Sequence, residues 1–173
     1  MEPSGSTYLY ALAAVSITLI GFSALLVIFR QARGDALTRY EGYFVLSFIQ
    51  PGLIVTGGSL LPSVLSLYGI TAQTVWRASS IVVAIPILIF VATLPGRRRA
   101  ATSGAPLPRY VQVLALLQFA IAIYLIAVAA GVATATGIGP YAASLTALLF
   151  TTVAAYVIAL GVALAESPKA SDS

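Results

Sequence analysis

The chain has 173 residues, 60% of them hydrophobic and 8% charged, with nine Lys and Arg against five Asp and Glu. Soluble domains are about half apolar and a quarter charged, so this composition excludes a water-soluble globular protein and leaves one held almost wholly in the bilayer. Cys and His are both absent, which removes disulfides, thiolate chemistry and His- or Cys-based metal sites.

A spanning helix needs roughly 20 mostly apolar residues at about 1.5 Å each. The segment 1–7 (MEPSGST) is small and acidic, without the basic region of a removable signal peptide. The second residue is Glu2 rather than glycine and the chain has no Cys, so there is no lipidation motif. The first run, 8–29, is uncharged and predicts helix 1. Ala14, Thr18 and Gly21 share one side of it, a small-residue face suited to close packing.

The second run, 43–65, predicts a helix interrupted by Gln50-Pro51-Gly52, Gly57-Gly58 and Pro62. Pro51 has no N–H and crowds the carbonyl four residues back, at Ser47. A bend or break is therefore expected between Ser47 and Gly58, with the Ser47 side chain or a neighbour's covering the freed carbonyl. Pro51 and Gly52, with Pro86 of the next helix, are candidate hinge residues; the plainer reading is a kink that serves packing.

The third run, 76–94, carries Arg77 in its first turn, and Pro86 frees the carbonyl of Val82. Arg77 either contacts an anion or headgroup or snorkels to the interface beside Trp76. Pro95 to Arg109 (PGRRRAATSGAPLPR) reads as a mobile linker. Its Arg97, Arg98 and Arg99 are candidate contacts for acidic lipid headgroups, with a topology signal as the plainer role. Runs 110–132 and 141–164 predict helices 4 and 5, separated by a tight turn at 134–140 and followed by a polar tail, 165–173. Gly161 and Ala165 form a second small-residue pair.

The basic residues order these helices across the membrane. If all five runs span, eight of the nine Lys and Arg (Arg30, Arg33, Arg39, Arg97, Arg98, Arg99, Arg109, Lys169) share one face, and only Arg77 lies near the other. Lys and Arg favour the cytoplasmic side, giving N-terminus out and C-terminus in, in the cytoplasmic membrane. Tyr8, Tyr10, Tyr40, Tyr43, Tyr68, Trp76, Tyr110 and Tyr141 fall near helix ends, as an interfacial aromatic belt requires.

Counting inward from the basic ends gives Gln50 a depth of roughly 10 Å and Gln118 and Tyr156 roughly 12 Å. Ser23 and Pro86 fall close to that level. These residues predict one intramembrane polar layer, with Gln50 and Gln118 facing the interior and at least one of them bonded to another helix or a freed carbonyl.

Chemistry is sparse. All five carboxylates (Glu2, Asp35, Glu41, Glu166, Asp172) lie in loops, tails or at a helix edge. A buried proton relay and a carboxylate metal site are thereby removed from a single subunit, and no Ser has an activating base. The chain thus reads as one all-α integral membrane domain, 1–173: a five-helix bundle that is not an enzyme and needs no cofactor. Its partners are the lipid bilayer, anionic headgroups, and a second copy or a larger membrane protein, with no nucleic acid. A structural or accessory role fits best. The alternative is a subunit of an oligomeric channel or transporter for a small solute, using the kinked second helix and the Gln50/Gln118 layer. A lipid-modifying enzyme fits least.

Overall fold

In hydrocarbon, backbone N–H and C=O groups must be bonded internally, which favours helix even across Pro and Gly positions that would end one in water. The computed structural model describes residues 5–32, 39–102, 108–132 and 137–165, and among these the regular structure is helical throughout. The helices are α1 (Ser6–Ala32), α2 (Arg39–Ser66), α3 (Ala72–Ala101), α4 (Arg109–Ala130) and α5 (Ile138–Ala165). All five are long and apolar enough to cross a membrane.

Every predicted run is present, with ends that differ. The largest difference is in α3, which begins at Ala72 rather than Trp76 and ends at Ala101 rather than Leu94. The first part of the expected linker is therefore helical: Pro95 lies inside α3, and Arg97 to Arg99 ride on its last turns. Pro95 costs one hydrogen bond, at the Val91 carbonyl, and good helix formers (Arg97 to Ala101) come only after Gly96. Thr102 closes the helix, its N–H and hydroxyl each donating to the Arg98 carbonyl at 2.9 Å. At the other end the Thr71 hydroxyl accepts from the Thr74 N–H, a cap that starts α3 at Ala72. Linker residues 103–107 and turn residues 134–136 lie outside the described residues.

Contacts between helix ends fix an up-and-down order. The Tyr10 hydroxyl donates to Ser63 Oγ at 2.9 Å, tying the start of α1 to the end of α2. Tyr8 Oη and Thr146 Oγ1 are 2.6 Å apart, setting α1 beside the first half of α5. Arg77, early in α3, lies against Gly131, the left-handed cap that ends α4 (φ 75°). A guanidinium there faces the negative end of the α4 dipole.

α2 is the central helix, in contact with α1, α3 and α5, while α4 closes the ring between α3 and α5. Its spanning stretch is 44% buried against 18% for α1, which lies on the outside. Leu12, Val55, Val83, Ile87, Leu125, Leu145 and Leu148 form a core drawn from all five helices. In a bilayer, apolar side chains would gain little from leaving lipid for this core, and van der Waals fit would hold it together.

That fit depends on two glycines of α2. A Cβ at Gly52 would lie 2.8 Å from Ile20 Cγ1 of α1, and one at Gly58 would lie 2.8 Å from Val83 Cγ2 of α3. The predicted small-residue face of α1 plays no such part: Gly21 has open space beside it, and Thr18 folds back on the Ala14 carbonyl. α1 instead turns Leu9, Leu12, Ala13 and Ser16 inward. The other predicted pair, Gly161 and Ala165, has side-chain positions outside those described.

Two expectations for α2 require correction. It is continuous from Arg39 to Ser66, so of the bend or break expected between Ser47 and Gly58 the break does not occur. The Ser47 hydroxyl donates to the Tyr43 carbonyl at 2.8 Å and does not cover its own freed carbonyl. A hydroxyl in a helix reaches the preceding turn more readily than its own C=O. The aromatic belt is also incomplete. Tyr8, Tyr10 and Tyr68 are exposed, but Tyr141 is fully buried and packs on Trp76, with ring centroids 5.7 Å apart.

Candidate functional site

Arg97, Arg98 and Arg99 stand side by side on α3 and have three different surroundings. Ile87, Phe90 and Leu94 mark the buried stripe of α3 at helical spacing, and Arg98 continues it one turn further. Its side chain is therefore carried toward the bundle, where Nε is buried without a hydrogen-bond partner. Arg97, offset by one residue, donates from Nη1 to Oε1 of Gln50 on α2. Arg99 is exposed.

Gln118 approaches from the opposite side. It opens the buried stripe of α4 that continues through Ala122 and Leu125, and its Nε2 donates to Thr151 Oγ1 of α5 at 3.4 Å. The Thr151 hydroxyl in turn donates to the Leu148 carbonyl at 2.8 Å. Gln118, Arg98, Ser47, Tyr110 and Thr152 line a cavity of about 70 Å³ among α2, α3, α4 and α5. Tyr43 and Ser47 also border an open groove holding Gln50 and Arg97, so cavity and groove adjoin at the basic end.

Both glutamines thus bond across helices, yet they do so in separate places. The remaining residues of the expected layer lie elsewhere again. Ser23 and Tyr156 line a third space, between α1, α2 and α5 beside Gly52. Ser23 donates to its own helix at Leu19, while Tyr156 meets Phe48 edge-on at 5.1 Å and its buried hydroxyl has no partner. The residues of the expected layer are thus spread over three adjoining spaces: the Gln50 groove, the Gln118 cavity and the Ser23–Tyr156 space. Depth along an axis is countable from sequence; rotation about that axis, which decides the neighbours, is not.

A second polar cluster, at the end away from Arg97 to Arg99, was not anticipated. Pro62 removes the N–H that would bond the Gly58 carbonyl, and Tyr141 of α5 supplies the missing donor at 2.6 Å. Ser59, Ser79 and Thr56 are buried with hydroxyls that lack partners. Ser16 completes the pattern from α1, donating to the Gly52 carbonyl at 2.8 Å. Pro62 four residues after Gly58 was a legible signal for an orphan carbonyl; nothing local pointed to Tyr141.

Among the described residues, no three His, Cys, Asp or Glu side chains gather as a metal site would need. The chain matches no family model, no curated protein and no solved structure.

Proposed function

We propose that the protein is an integral component of the cytoplasmic membrane, with its N-terminus outside, and serves as a structural or accessory bundle. The packing supports this reading: Val55, Ile87, Leu125, Leu145 and Leu148 are essentially inaccessible and fill the space between the helices. A lone subunit with such a centre offers bonded surfaces rather than a path for solute. The exposed apolar faces of α1 and α4 are available to lipid or to a membrane partner.

Orientation is tested by cysteine labelling, which is clean because the chain has no Cys. Leu67→Cys, at a position 84% exposed, should react in intact cells with an impermeant maleimide, and Ala100→Cys should react only after permeabilisation. Labelling of Ala100→Cys from outside overturns the orientation.

The polar cavity at the basic end favours one other reading, an oligomeric transporter subunit. Under the accessory reading, proteoliposomes pass small neutral solutes no faster than empty liposomes. Gln118→Leu then changes only stability, by about 0.6 kcal/mol. Flux above that of empty liposomes, lost in a folded Gln118→Leu protein, would establish the transporter reading instead.

A further inference from the structure

The Arg98 cavity combines features that the accessory role does not require. Its guanidinium Nε is buried and unpartnered, although a buried charged donor without an acceptor is costly. The bordering arginine, Arg97, already has the Gln50 amide as its acceptor. None of the described lining residues is acidic. Gln118 uses one amide hydrogen on Thr151 and has a second to give. A half-open volume of about 70 Å³ exceeds the ~15 Å³ that one water needs, so a group of several non-hydrogen atoms fits. Leu94, Leu114 and Val111 supply an apolar wall beside these donors.

We propose that this cavity binds a phosphate-type anion, with Arg98 as its charged donor and Gln118 as a neutral one. Arginine suits the role because its planar fork presents parallel N–H groups to two oxygens of one phosphate. The same chemistry could come from an acidic phospholipid headgroup, with its chain along the apolar wall, or from free phosphate. The site stands on its own geometry and would survive failure of the accessory reading.

The test uses the full-length protein in a neutral detergent, read by native mass spectrometry and by the shift in thermal unfolding. Probes are dihexanoyl phosphatidic acid, the matching phosphatidylcholine and inorganic phosphate. Phosphatidic acid or inorganic phosphate should bind the wild type at least about tenfold more tightly than phosphatidylcholine, as one charge-assisted hydrogen-bonded pair implies. Saturation by inorganic phosphate at the same concentration as phosphatidic acid would identify free anion as the source; a preference for phosphatidic acid identifies lipid. Arg98→Gln should remove about tenfold of that affinity, Arg98→Lys part of it, and Arg99→Gln less than about twofold, since only an exposed charge is lost. Equal losses in Arg98→Gln and Arg99→Gln would reduce the effect to general surface charge and overturn the site. Should Arg98→Gln fail to fold, the wild type still decides, because binding phosphatidylcholine as tightly as both anions overturns the proposal.

Discussion

Gly58→Leu should prevent the bundle from closing, whereas Gly57→Ala, one position earlier, should be tolerated. The two glycines are adjacent in sequence and opposite in surroundings. A Cβ at Gly57 meets nothing within 4 Å, while one at Gly58 comes within 2.8 Å of Val83 Cγ2 and 3.1 Å of Leu145 Cδ2. A single methyl there overpacks α2 against α3 and α5, and Gly58→Ala should cost about 1–3 kcal/mol. Leucine adds three more carbons to the same gap and should exceed that range. Gly57→Ala should be neutral or stabilising by up to about 1 kcal/mol through helix propensity. Unfolding in mixed micelles with increasing SDS measures each difference. Equal effects at the two positions would mean that the close approach of α2 to α3 and α5 is wrong.

Tyr141 separates packing from hydrogen bonding. Tyr141→Ala empties a fully buried aromatic site against Trp76 and should cost about 3–5 kcal/mol. Tyr141→Phe keeps the ring and removes only the donor to the Gly58 carbonyl. Hydrogen bonds between membrane helices average about 0.6 kcal/mol and reach about 1.7, and a carbonyl with no other donor belongs at the upper end. The same micelle titration reads both variants. Pro62→Ala restores a backbone N–H to that carbonyl, so Tyr141→Phe should cost less in the Pro62→Ala background. Additive costs would mean that Tyr141 and Pro62 do not share the Gly58 carbonyl.

The helices were legible because length and hydropathy are properties of a segment alone. Their ends were not, and α3 shows why: Pro95-Gly96 looks like a stop, yet a helix that keeps its backbone bonded continues through it to Ala101. Arg98 was visible as one of three like charges. What distinguishes it is its register with Leu94 and Phe90, readable only once the buried face of α3 is known. Gln118 was picked out as a polar residue in an apolar run, and it lies buried in a helix interface. Tyr141 was misplaced because its position near a helix end fits an interfacial ring and a buried one equally well. The hydroxyls of Thr56, Ser59 and Ser79 carry no signal in the sequence, since Ser and Thr in a helix usually bond to the preceding turn.

The bond from Tyr141 to Gly58 spans 83 residues of sequence, and that separation has a consequence for how the protein is made. Synthesis completes α2, with Pro62 already in place, before α3 and α4, so its Gly58 carbonyl waits while they are produced. Only α5 brings the donor. A nascent chain stalled before α5 therefore carries a mark of incompleteness inside its second helix: a polar group that water, lipid headgroups or a membrane chaperone must cover in the interim. Arrival of the fifth helix erases that mark and fills the core in the same step.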